Sequence, residues 1–241
     1  MVDYKRILSD ICGLSSSDAE IVVSKEIQEL SSFDNKKLNK YFNELLFIFV
    51  GDNPGDHEKE DGVYFSSNGK SGSMLSEFIK YLELEDKKCL YLNKSLITTH
   101  ETKDLFKYYS NDKTQEKVAE LINETLKNNK KVYVCLFGVE YYNKENAGIF
   151  SRFYKKLEMF KYKKRIGLFN HISRRYPISL YEQDIIKKKN LEEFKTKIFQ
   201  KYGLVLLKRY KSNAFSKAIK SVKIDLACSR KKNICDDKTG L

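Results

Sequence analysis

The chain of 241 residues has no tryptophan, two prolines and three histidines. Each scarcity narrows what the protein can be. Proline fixes φ and removes a donor, so in a chain this poor in it Pro54 and Pro177 mark deliberate turns rather than background. Imidazole chemistry has few owners, namely His57, His100 and His171. The cysteines, Cys12, Cys89, Cys135, Cys228 and Cys235, are odd in number and form no C-x-x-C pair. Neither a disulfide framework nor a zinc or iron–sulfur ligand set is indicated, and a reducing cytoplasm is the expected compartment. No apolar run of signal-peptide length follows Met1–Arg6, and no stretch approaches the roughly 20 apolar residues of a membrane span, so a soluble protein is expected. Repeats and Pro- or Gly-rich linkers are missing too. The expectation is one domain over 1–228, opening with a helical segment over 1–40 that closes in the charged stretch Asp34–Lys37, and a polar tail over 229–241.

What the chain does contain is a folded protein's share of apolar residues, 41 %, with aromatics at 13 %. Its formal charge of +12 suits a polyanionic partner, although the lysines are interleaved with acids, so the charge permits nucleic-acid binding without establishing it. Four short runs, Leu46–Val50, Cys89–Leu92, Val132–Phe137 and Arg165–Phe169, are almost continuously apolar. Runs of that kind are strands covered on both faces, as in a parallel sheet. Helical spacing lies between them: Met74, Phe78, Tyr81 and Leu82; then Val118, Leu121, Ile122, Thr125 and Leu126; then Ile149, Phe150, Phe153, Leu157 and Phe160. A further helical pattern runs from Tyr181 to about Lys220. The alternation predicts a three-layer α/β/α sandwich around a central, mostly parallel four-stranded sheet.

In such sheets ligands bind beyond the carboxyl ends of the strands, so the residues that follow each strand carry the chemistry. After the first strand comes Gly51-Asp52-Asn53-Pro54-Gly55, and further on Gly62-Val63-Tyr64-Phe65. The second strand runs into Asn93, and the fourth into Asn170-His171-Ile172-Ser173-Arg174-Arg175. This set, by order and strand placement over roughly residues 46–176, resembles the uracil-DNA glycosylase superfamily.

The resemblance implies an enzyme that hydrolyses the N-glycosidic bond of uracil or a related deaminated base flipped out of DNA, with no metal or organic cofactor. The G-D-N-P-G turn is similar to that of the mismatch-specific and single-strand-selective branches, which makes Asn53 the first choice for handling the water. Branches with a carboxylate place it at Asn53 or one residue earlier, so Asp52, a stronger base, competes with it. Gly51 and Gly55 belong to the turn that builds the first wall of the base pocket and are expected to meet the base; Phe65 takes the place of the aromatic that stacks on the base, and Asn93 that of the pocket amide, which can donate to and accept from a uracil edge. His171 matches the histidine that stabilises the departing base, as an oriented donor does for developing negative charge.

Departures from the family pattern bear on the substrate. Arg174 and Arg175 stand where the family has proline and an apolar wedge, and with Ser173 they are expected to meet DNA. A weaker wedge favours single-stranded or mismatched DNA, where extrusion is easier. Gly55 replaces a tyrosine that in some branches excludes the thymine methyl. Ser71 and Ser73, in Gly69–Ser73 ahead of a helix, could hold a phosphate on backbone N–H groups. A monomer acting on DNA is expected; the alternatives are a glycosylase-fold DNA-binding or adaptor protein without catalysis, and an enzyme of free nucleosides or nucleotides.

Overall fold

The computed structural model describes residues 2–81, 88–108, 111–138, 149–158, 161–162, 165–168 and 171. Its centre is a sheet of four parallel strands, β1 (Phe47–Gly51), β2 (Cys89–Asn93), β3 (Tyr133–Leu136) and β4 (Ile166–Leu168), in the order β2-β1-β3-β4. The four apolar runs thus become the four strands, and the fold is α/β. Phe47, Ile48, Phe49 and Val50 of β1 are all fully buried, so this strand is covered on both faces. The alternating positions divide the work. Phe47 and Phe49 stack on each other and continue into Tyr91 and Phe137 at ring separations of 5.9 and 6.3 Å, an aromatic row filling the layer in a chain without tryptophan.

Helices α1 (Tyr4–Cys12), α2 (Lys25–Ser31) and α3 (Asn35–Glu44) precede the sheet. Each is started by a side-chain cap: Asp3 accepts from the Arg6 amide, Ser24 from Ile27 and Asp34 from Lys37. The charged stretch Asp34–Lys37 therefore opens a helix instead of closing the N-terminal segment, because Asp34 is the cap and α3 runs ten residues beyond it. Helices α4 (Asp56–Asp61) and α5 (Lys70–Tyr81) link β1 to β2, and α6 (Thr114–Asn128) and α7 (Ser151–Lys156) flank β3. In α6 the expected face is the buried one: Val118, Leu121, Ile122, Thr125 and Leu126 are fully buried. In α5 the burial falls on Leu75 and Ile79, with Met74 partly buried; the side chains of Phe78, Tyr81 and Leu82 lie outside the description, as does Phe160. Ile149 and Phe150 are buried just ahead of α7, and Phe153 within it.

Two polar devices fix the loops that lead to the strand ends. Asn129, past the end of α6, donates to the carbonyls of Phe42 and Leu45 at 2.9 and 2.7 Å, while Arg165 donates to the carbonyls of Asn129 and Leu126. Beyond β2, buried Ser95 donates to Asp112 at 2.5 Å and the Leu96 amide donates to Thr114 at 2.9 Å. Satisfied buried polar groups of this kind lock a loop in one arrangement. The segment Asn93–Leu96 is held in this way. Among the described residues no helix is long and apolar enough to cross a membrane.

Candidate functional site

The strand order reverses at β1, whose successor in sequence lies on one side and β3 on the other. Ligand crevices of open parallel sheets form at such switch points. Here four chain segments meet: Gly51-Asp52 beyond β1, Asn93-Lys94 beyond β2, Phe137-Gly138 beyond β3, and His171 three residues past the end of β4.

Gly51 is what lets them approach. A Cβ there would lie 2.3 Å from Asn93 Oδ1 and 3.1 Å from Phe65 Cζ, so only glycine admits both side chains. Phe65 holds a left-handed backbone, φ 53°, which is strained for an aromatic residue. Glu58 stabilises that conformation: its Oε1 accepts from the Phe65 amide at 2.6 Å and its Oε2 from the Gly55 amide at 2.9 Å. The half-buried Phe65 ring packs tilted on Tyr91 and edge-on to Phe137, at 6.3 and 6.1 Å.

Glu58 does a second thing. Asn93 Nδ2 donates to Glu58 Oε1 at 3.3 Å. A carboxylate only accepts, so this contact sets the amide with Nδ2 toward Glu58 and leaves Oδ1, against Gly51, without a hydrogen bond among the described residues. Burial raises the Glu58 carboxyl above the ordinary glutamate range; the hydrogen bonds from Gly55, Phe65 and Asn93, and the charge interaction with His171, pull it partly back.

Asp52 and Asn53 adjoin in sequence and part in space. Asn53 is half-buried, and its Nδ2 donates to Thr99 Oγ1 at 2.9 Å and to the Pro54 carbonyl at 3.2 Å. Thr99 spends its own hydroxyl proton on the Glu101 carbonyl, 2.8 Å away, so it must accept from Asn53 and the amide orientation follows. Asn53 Oδ1 then stands as an acceptor with no hydrogen bond among the described residues. Asp52 turns inward, 2 % exposed, and its Oδ1 forms an ion pair with fully buried Lys94. The Lys94 ammonium also donates to the Phe137 carbonyl and lies 4.8 Å over the Phe150 ring. Burial pulls that ammonium below its usual range, and Asp52 opposes the fall. Asp52 Oδ2 is buried with no hydrogen bond among the described residues, 3.8 Å from His171 Nε2.

The residues named from the sequence thus fall into groups. Gly51, Phe65 and Asn93 are in contact; Asp52 and His171 adjoin; Gly55 caps α4 and donates to Glu58; Asn53 sits beside them on the turn with its amide tied to Thr99. Ser71 and Ser73 belong to the first turn of α5, not to a loop before it. Ser173, Arg174 and Arg175 lie outside the described residues, as does the segment from 172 onward that holds Pro177. Sequence reasoning missed Glu58 and Lys94. Glu58 carried a usable signal, a glutamate three residues past the Gly55 N-cap. Lys94 carried none, since lysine is among the residues least often buried.

Sheet, switch point and strand-end polar groups define an α/β protein whose candidate site lies at the carboxyl edge of a parallel sheet. The chain belongs to the Uracil DNA glycosylase superfamily, whose sequence model matches residues 40–200, more than half its length. That range takes in all four strands and every group of the site described above. Among curated proteins nothing matched the chain.

Proposed function

We propose that the protein is a monofunctional DNA glycosylase that removes uracil or a related deaminated base flipped out of DNA. The observation that carries this reading is the contact of Phe65, Asn93 and Gly51 beside His171, at the switch point of a chain from this superfamily. An extruded base needs a π-face to stack on and an amide to read its edge. Phe65 supplies the first. Asn93 supplies the second, its Oδ1 accepting from a ring N–H while the second hydrogen on Nδ2, the one not given to Glu58, donates to an exocyclic carbonyl.

In the reaction the C1′–N bond breaks with its electron pair leaving on the base, and the sugar passes through an oxocarbenium-like state. His171 stabilises the negative charge on the leaving base through its other ring nitrogen, Nδ1, since Nε2 faces Asp52 Oδ2. Water adds to C1′ and gives a proton to solvent, the base anion takes one from solvent, and the products are an abasic sugar and a free base. Asn53 handles that water. Its Oδ1 is available to accept from it, whereas the Asp52 carboxylate is withdrawn into the pair with Lys94. Single-stranded or mismatched DNA is the preferred substrate, the protein acts as a monomer, and its place is the cytoplasm.

The test is incubation of the full chain with oligonucleotides carrying uracil, hypoxanthine or xanthine, single-stranded and mispaired, followed by alkaline cleavage at abasic sites. Strand scission at the deaminated base supports the reading. Binding without abasic sites, unchanged in Asn53→Ala and His171→Ala, would select a DNA-binding protein without catalysis, and activity on free nucleosides with no gain from flanking DNA would select a nucleoside enzyme.

A further inference from the structure

Lys94 has no place in the chemistry just described, yet it is the most completely buried cation of the site. Desolvating an ammonium is unfavourable unless it is paired and hydrogen-bonded, so a lysine at this depth has a partner it must serve. Its ammonium donates to the Asp52 carboxylate beyond β1 and to the Phe137 carbonyl beyond β3, and its charge lies over the Phe150 ring. The ammonium therefore ties together the two strands between which the sheet order reverses. It occupies one Asp52 oxygen and leaves the other, Oδ2, with no hydrogen bond among the described residues and facing the His171 imidazole at 3.8 Å. Gly138 makes room for the arrangement: its φ is +79°, and a Cβ there would fall 2.2 Å from both Asp52 carboxylate oxygens.

We propose that Lys94 is a positioning residue of the site, holding the Asp52 carboxylate so that Oδ2 orients His171 toward the leaving base. This rests on the glycosylase reading for its consequence, but not for its geometry. Asp52 then works as the orienting partner of the imidazole, in the way a buried carboxylate fixes a ring that must meet a substrate with its other edge. The 3.8 Å separation is beyond hydrogen-bond reach and closes with a small rotation of the ring, as contacts of this kind tighten when substrate binds.

Three full-length proteins test this: the wild type, Lys94→Met, and the double variant Asp52→Asn/Lys94→Met. The double variant removes both charges and so folds even if the single one leaves an uncompensated carboxylate. Two readouts are taken on each. The first is single-turnover cleavage of a single-stranded uracil oligonucleotide alongside its binding constant. Lys94→Met should lose about 100-fold in cleavage, as a misplaced catalytic group does, with binding changed less than about threefold. The second is the side-chain NMR signal of His171, told apart from His57 and His100 by its loss in His171→Gln. In both Lys94 variants the His171 ring signals should move while those of His57 and His100 stay. Unmoved His171 signals overturn the proposal whether or not the protein cleaves DNA. So does a Lys94→Met or neutral-pair variant that cleaves at the wild-type rate, which would make the pair a matter of stability alone. A wild type that cleaves nothing, with His171 signals that still depend on Lys94, would sink the glycosylase reading and leave the positioning intact.

Discussion

Glu58 uses two oxygens for three donors, and it is the residue of the site where acidity tells. Burial raises its pKa above the ordinary 4.5, so the folded state prefers the protonated form. The sign follows from proton linkage. The stabilisation due to this group is present in full below the unfolded pKa and fades as the pH rises through the folded value. The proposed base recognition runs the other way, because a protonated Glu58 loses acceptor capacity for the Asn93 amide. Lowering the pH from neutral should therefore reduce cleavage with a midpoint above 4.5, before the fold is harmed by this group, and Glu58→Gln should flatten that limb while lowering the plateau. Cleavage rates and circular dichroism over the same pH series check both halves. Phe65→Ala is the second change at this scale. Loss of the stacking face should weaken binding of the flipped base by about 1–3 kcal/mol, measured as reduced affinity for an oligonucleotide with a non-cleavable uracil analogue.

Among the elements, β1 and the turn that follows bear most directly on the site. Gly51→Ala puts a methyl into Asn93 Oδ1 and Phe65 at once. The account predicts that this variant loses base binding along with thermal stability, whereas Asp34→Ala, which removes only the cap of α3, loses about 1 kcal/mol of stability and keeps its activity. Thermal melts beside cleavage assays separate the two. The same elements show what could be seen in advance. The strands announced themselves because apolar runs covered on both faces have no other stable place in a small α/β protein. The start of α3 did not, since Asp34 and the lysines after it look alike as surface charge until the cap bond is seen. Asn93 and His171 were legible as residues following strands, and Phe65 by its place after the turn beyond β1, all three through the resemblance to the superfamily. The separate surroundings of Asp52 and Asn53 were not, because they depend on Lys94 and Thr99, which lie 42 and 46 residues from their respective partners.

Over the whole molecule the formal charge of +12 sets the expectation for the partner. Binding to single-stranded DNA should weaken with salt, each phosphate contact adding about 0.7 to the slope of log affinity against log salt concentration. A slope of about −2 or steeper in a fluorescence titration agrees with a strand laid across a basic surface; a flat dependence would place the ligand among uncharged or monomeric species. In the proposed reading the charge does not identify the base; the site does. The most direct measurement is the mass of what is released when the protein is incubated with a uracil-containing single-stranded oligonucleotide. The account predicts free uracil in equal amount to abasic strand, lowered roughly 100- to 1000-fold by His171→Ala. An intact oligonucleotide, or release untouched by that substitution, would contradict it.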